Sequence, residues 1–133
     1  MRIVQLGPLP PPHGGVSTNL MEINDLLISR GHSASVIAIT SDSQTGHAPN
    51  TYKPRSAFQF LKLLMTLDFD IVHFHIGGDF GLRLAILTLV CGLLPGKKSA
   101  VTFHSGGYAG QALNFAKPFS LRGLAFRSVD FVI

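Results

Sequence analysis

Three of the six histidines fall in or at the end of short apolar runs, where an imidazole is either packed or put to use. His73 and His75 are two apart in Ile71–His75, so on an extended strand both rings point to one face. His104 closes the run Ser99–His104. Two histidines on one face, with His104 as a third, are a ligand set that zinc accepts. No Asp or Glu follows at metallohydrolase spacing, so no metal is expected, and His73 reads as a packed strand residue. His75 and His104, at strand ends, are placed for work on a ligand, and His104 is the candidate catalytic residue. His13 lies in the loop Pro8-Leu9-Pro10-Pro11-Pro12-His13-Gly14-Gly15 and is within reach of the same ligand.

Paired glycines are the second chemical signal. Gly14-Gly15 and Gly106-Gly107 each follow an apolar run and precede a polar or helical stretch. Glycine lets a backbone approach a ligand closely, and the free amides of a helix start attract anions. Gly14 and Gly15 are therefore the candidate phosphate-binding loop. Ser105, Gly106 and Tyr108, with Asn114, follow His104 and are candidates for contacts with a ligand. Other phosphate motifs fail. No G-x-G-x-x-G follows the first apolar run. Gly96-Lys97-Lys98-Ser99 ends like a P-loop, but Lys98 stands where Ser or Thr is required, and Cys91 where the first glycine is required.

The elements that position these residues alternate. Arg2–Leu6 is a strand closed by Gly7-Pro8. Val16, Leu20, Ile23 and Leu27 recur at helical spacing, and Arg30-Gly31 is a stop signal. Ala34–Thr40 is the second strand, and residues 41–54 read as a surface loop. Phe58, Leu61, Leu64 and Met65 mark a second helix. Their stripe is expected to pack into the core, although Arg55 and Lys62 beside it would also suit a membrane surface. Ile71–His75 is the third strand. Asp79 is expected to cap a third helix reaching about Leu94, with Cys91 buried and inert inside it. Ser99–His104 is the fourth strand, a looser helix spans about 117–127, and residues 130–133 form a fifth strand.

Strand–helix alternation with short turns predicts an α/β fold, a doubly wound parallel sheet. The order 3-2-1-4-5 then puts the ligand crevice between strands 1 and 4, flanked by the two glycine turns. Whether strand 3 brings His73 and His75 near His104 is doubtful in that order. With 133 residues the chain is one domain. It stops inside an apolar run at Ile133, which reads as a fragment.

Composition narrows the classes. Charged residues are 14% of the chain against about 25% in typical domains, so part of the surface is expected to meet another domain, a subunit or a membrane. The net charge of +4 suits a phosphorylated ligand, but no Lys/Arg cluster marks a nucleic-acid partner. One cysteine precludes an internal disulfide and fits a reducing, cytoplasmic compartment. The longest apolar stretch, 84–94, is too short to span a membrane.

Taken in order, these motifs resemble the N-terminal domain of family 4 glycosyltransferases of the GT-B fold. The resemblance rests on Pro11-Pro12-His13-Gly14-Gly15-Val16, Ser29-Arg30-Gly31-His32, Asp70-Ile71-Val72-His73-Phe74-His75, Val101-Thr102-Phe103-His104-Ser105-Gly106 and Ser128-Val129-Asp130-Phe131-Val132-Ile133. It implies a Rossmann-like half of an enzyme that transfers a sugar from a nucleotide-sugar donor to a glycan or lipid-linked acceptor, with retention and without metal or cofactor. It places Gly14 and Gly15 against the donor phosphates and the acceptor, His104 at the transferred sugar, and His13, His75, Ser105, Gly106 and Tyr108 as candidate contacts with the acceptor or the sugar. The C-terminal nucleotide-sugar domain of that family is absent from 1–133, so this chain alone is expected to be inactive. Polysaccharide or cell-envelope assembly, with peripheral contact at the inner face of the membrane, is the setting it implies. The alternatives are a non-catalytic half that pairs with a separate nucleotide-binding chain, or another Rossmann-like binder of a phosphorylated metabolite.

Overall fold

A computed structural model describes residues 1–10, 14–39, 50–78, 80–104 and 119–133. Six strands form one sheet: β1 (Arg2–Gly7), β2 (Ser33–Ala38), β3 (Thr51–Tyr52), β4 (Ile71–Ile76), β5 (Lys98–Phe103) and β6 (Phe131–Val132). The described helices are α1 (Gly15–Ser29), α2 (Ala57–Thr66), α3 (Leu82–Gly92) and α4 (Leu121–Ser128). All pairings are parallel, in the order β3-β2-β1-β4-β5-β6. The doubly wound sheet and the 3-2-1-4-5 order are present, extended by a sixth strand.

The strands that fill that order shift from the third place onward. The third position belongs to Thr51–Tyr52, inside the stretch read as loop, and two residues carry too little pattern to announce a strand. Ile71–Ile76 is consequently fourth and lies directly against β1, with Gln5 opposite His73. The third helix starts two residues later than expected. Its N-cap is Gly81 rather than Asp79, which lies outside the described residues.

The chain runs from β1 to β2 in one direction and from β3 through β4 and β5 to β6 in the other. Right-handed crossovers then place α1 on one face and α2, α3 and α4 on the other. Alternation along the strands sorts the core accordingly. Val4, Leu6, Val72, Phe74, Ile76 and Val101 pack under α2, α3 and α4 with Phe60, Leu64, Ala85 and Ala125. A smaller cluster of Leu9, Val36 and Ala38 meets Leu20 of α1. The interleaved residues Gln5, His73, His75 and Thr102 therefore face the α1 side, where the apolar core is thin.

Ion pairs close the opposite edge of the sheet. Arg2 at the start of β1 pairs with Asp68 and, at 2.6 Å, with Asp70 just before β4. Hydrogen bonding to Arg2 holds the Asp70 carboxyl down at about 2. Lys98 pairs with Asp130 at 2.7 Å, joining β5 to the start of β6. Cys91 is buried as expected, and burial pushes its thiol up to about 12.

The α2 stripe departs from its expectation. Leu64 is buried, but Phe58, Leu61 and Met65 are exposed, because the helix turns Phe60 and Leu64 to the sheet instead. A four-residue spacing satisfies one face only, and this sequence offers apolar residues on two.

Gly92, where α3 ends, shows how tightly α3 and α4 cross. A Cβ there would come within 2.6 Å of the carbonyl carbon and oxygen of Ser128. Alanine is the better helix former by about 1 kcal/mol, but overpacking against backbone costs roughly 1–3 kcal/mol. Gly92→Ala is expected to lower the urea midpoint, and a rise would show that the crossing has slack.

Candidate functional site

Parallel sheets bind ligands where neighbouring crossovers leave in opposite directions, because no helix covers the crevice there. Here that place lies between β1 and β4, not between the first strand and Ser99–His104, since β3 displaced the numbering. Its walls are the turn after β1 leading to Gly14-Gly15 and the turn Gly77-Gly78 after β4. Between them is a cavity of about 530 Å³, lined by Gly14, Gly15, Ser17, His75, Gly77 and Arg83 among others.

The approach of α1 to this crevice depends on small residues. A Cβ on Gly77 would press into the Val16 side chain at 2.5 Å, so glycine there lets the first turn of α1 close on the end of β4. Gly14 is different. It caps α1 with φ −134° and ψ 162°, a conformation open to any residue, and a Cβ on it would meet nothing within 4 Å. Neither strain nor packing within the described residues requires glycine at Gly14, nor does packing at Gly15. The start of α1 also lacks a side-chain cap. Ser17 Oγ instead accepts from the Gly14 amide at 3.0 Å and donates to the Gly14 carbonyl at 2.9 Å. First-turn amides with no intrahelical acceptor remain directed at the crevice.

A polar chain runs through the α1 face. Gln5 Nε2 donates to Asn24 Oδ1 at 3.5 Å, which turns Gln5 Oε1 toward His75 Nε2 at 2.9 Å. An amide oxygen only accepts, so His75 carries its proton on Nε2. His75 Nδ1 then accepts from His104 Nε2 at 3.0 Å. This tautomer assignment follows from the hydrogen-bond network and the Gln5 orientation. It leaves a lone pair on His104 Nδ1, which has no partner among the described residues. His73 is tied separately, Nε2 to Thr102 Oγ1 at 2.7 Å.

The three imidazoles touch, with ring centroids 4.1 Å apart for His73 and His75 and 5.3 Å for His75 and His104. The convergence doubted from sequence is thus present, because β4 and β5 are neighbours. Burial lowers the pKa of all three, and His75, with no exposed surface, is pushed down to about 3. Each nitrogen facing a neighbour is spent on a hydrogen bond. Among the described residues no group of three or more His, Cys, Asp or Glu side chains is arranged to hold a metal ion.

Of the residues singled out from sequence, Gly14, Gly15 and His75 share the cavity. His104 stands one strand further on, partly buried, joined to it through His75. His13, Ser105, Gly106, Tyr108 and Asn114 lie outside the described residues. Gln5, Asn24, Gly77, Gly78 and Arg83 were missed as site residues. Gln5 and Asn24 did carry a signal, a polar residue inside an apolar strand and another at a buried helix position, and Gly77-Gly78 is a third glycine pair.

No family model matches the chain, and no curated protein matches it. Among solved structures it is similar to an alpha-glucosyltransferase in complex with UDP and a 13-mer DNA containing a HMU base. The TM-score is 0.68 at 18% identity, over 99% of this chain and 37% of that one. A second structure of alpha-glucosyltransferase with UDP and a 13-mer DNA containing a central A:G mismatch gives 0.66 at 17%, over 99% and 36%. Homoserine dehydrogenase from S. aureus gives 0.51 at 12%, over 98% and 31%. The likeness is one of fold. The chain has a glycosyltransferase-like α/β fold and spans little more than a third of the glucosyltransferase chains.

The neutral His75 has a measurable consequence. Its folded pKa lies below the unfolded value of about 6.5, so the unfolded chain takes up a proton that the folded chain refuses. Stability contributed by the neutral form is complete above pH 6.5 and is lost as pH falls toward 3. Between pH 7 and pH 5 the loss is expected to reach about 2 kcal/mol in urea unfolding, and to shrink in His75→Gln. A midpoint unchanged over that range in the wild type would contradict a buried neutral ring.

Proposed function

We propose that this chain is the acceptor-side half of a GT-B glycosyltransferase of family 4 type, which moves a sugar from a nucleotide-sugar donor to an acceptor. The observation that carries the reading is the pairing, on one crevice, of an uncapped helix start at Gly14-Gly15 with the Gln5–His75–His104 chain. Transfer releases a nucleoside diphosphate, and backbone amides at a helix start stabilise that anion without desolvating a side-chain charge. A Cβ-free cradle at Gly14 suits close approach of the diphosphate. His104 offers Nδ1 as an acceptor for a sugar hydroxyl or for a proton, and neutral His75 does not compete for that proton. The fold likeness to a glucosyltransferase solved with UDP supports the same reading.

Retention and independence of metal belong to the proposal through the family resemblance. So does a second α/β domain that would supply most nucleotide contacts, as does action at the cytoplasmic side of a membrane. No helix among the described residues is long and apolar enough to cross one.

The test begins with the reading frame beyond Ile133 and expression of whatever protein it encodes. With a second domain present, turnover of a nucleotide sugar is expected. His104→Ala should lower kcat by roughly 100-fold or more. Gly14→Asn should keep stability, since asparagine caps helices well, yet weaken donor binding by filling the cradle. Wild-type rates in both variants, or sustained transfer by the isolated 133-residue chain, would refute the reading.

A further inference from the structure

Gln5 stands inside β1 between Val4 and Leu6 and has no exposed surface. A buried amide costs free energy unless it is paired, and apolar residues in place of both partners can be as stable. Stability alone therefore does not ask for glutamine here. What distinguishes glutamine is the direction it gives to the groups it touches.

Asn24, Gln5, His75 and His104 share one property. Each side-chain amide and each neutral imidazole has a donor at one end and an acceptor at the other. A chain of such groups can run in either of two directions, and all its protons reverse together. In one direction Gln5 Oε1 accepts from His75 Nε2 at 2.9 Å, and His75 Nδ1 accepts from His104 Nε2 at 3.0 Å. His104 Nδ1 then holds a lone pair. In the other direction Gln5 turns its NH2 to His75, and His104 Nδ1 holds a proton. The same heavy atoms serve both arrangements. Only the first offers an acceptor to a ligand hydroxyl.

Asn24 chooses between them. It is a buried residue of α1, and its Oδ1 takes the Gln5 NH2 at 3.5 Å. With Gln5 Nε2 held there, only Oε1 is left for His75. Asn24 follows Gly15 on the same helix by nine residues, about 14 Å along the axis. One rigid element thus presents amides to the crevice at its start and directs the histidine pair further along. The end group matters as well. A carboxylate in place of the Gln5 amide would also accept from His75 Nε2, but it would favour a positive charge on the ring and draw a proton into the core. The amide orients the ring without that charge. Among the described residues no carboxylate hydrogen-bonds to Gln5, His75 or His104.

We infer that Gln5 and Asn24 are positioning residues, which together hold the histidine pair in the direction that makes Nδ1 of His104 its open acceptor. Neither lines the cavity, so both act through His75. That this acceptor serves sugar transfer rests on the function proposed above. The direction of the chain does not.

The test is nitrogen NMR of the histidine rings in the 133-residue chain at about pH 8, where unperturbed imidazoles are neutral. Protonated and unprotonated ring nitrogens are well separated there, and loss of signals in His104→Ala assigns them. In the wild type, His104 is expected to carry its proton on Nε2 and none on Nδ1. Gln5→Met keeps the length of the side chain and removes both amide groups. His75 then has no acceptor at Nε2 and moves its proton to Nδ1, so His104 is expected to become protonated mainly on Nδ1. In Asn24→Leu both directions are open, and the His104 shifts are expected between those extremes. A merely structural role would lower the urea midpoint of these variants without moving the shifts.

A wild-type His104 protonated on Nδ1 would overturn the inference, and that measurement needs no variant. So would unchanged His104 shifts in folded Gln5→Met. Unchanged shifts in Asn24→Leu alone would overturn the part given to Asn24. In a longer protein that transfers sugar, Gln5→Met should lower kcat roughly tenfold or more, because a proton then occupies the acceptor. A wild-type rate in that variant, with its tautomer reversed, would remove the positioning role and leave the glycosyltransferase reading standing. No transfer by the longer wild-type protein, with His104 Nδ1 unprotonated, would remove that reading and leave the direction of the chain as assigned.

Discussion

His75 has no exposed surface, and both its ring nitrogens are engaged, one by Gln5 and the other by His104. A ring flip would break its buried hydrogen bonds, each of which costs more to lose than it contributes, and burial disfavours a proton on the ring. The state of His104 follows from this, since its Nε2 must donate and its Nδ1 must accept. Asn24 extends the same constraint to α1 by fixing which end of the Gln5 amide faces the imidazole. A helix, three adjacent strands and the candidate catalytic ring are thus held in one hydrogen-bonded chain.

That chain exists because the two faces of the sheet are built differently. Under α2, α3 and α4 the strands contribute Val, Leu, Ile and Phe to a deep core. On the α1 side the same strands contribute Gln5, His73, His75 and Thr102, each with a hydrogen-bond partner. Burial of polar groups is tolerable only when they are paired in this way. The deep core supplies the stability that allows the other face to be polar at all.

Charge is separated along the strands as well as across the sheet. The described ion pairs close the edge where β1, β4 and β5 begin, while Arg55 and Arg83 stand at the edge where strands end, without an ion pair to any described carboxylate. The amides of the α1 start lie at that same edge. An anion approaching the ends of the strands therefore meets attraction, and one approaching their beginnings meets ion pairs already formed.

The sequence by itself determined the elements and the chemistry they carry. Alternating apolar runs and helical spacings mark strands at 2–6, 71–75 and 99–104, each within a residue of those observed, and the stop at Arg30-Gly31, because local backbone preferences and period decide those. It also offered His75, His104 and Gly14-Gly15, since polar and glycine residues at strand ends stand out from their neighbours. Tertiary structure decided who stands next to whom. A two-residue strand at Thr51–Tyr52 takes the third place in the sheet and thereby puts β4 against both β1 and β5. Only that adjacency brings Gln5, His75 and His104 together. It also moves the crevice to Gly77-Gly78. The exposed face of α2 was hidden for a related reason. Apolar spacing specifies that a helix has an apolar face, but the space left by the sheet and its neighbours selects which face is buried.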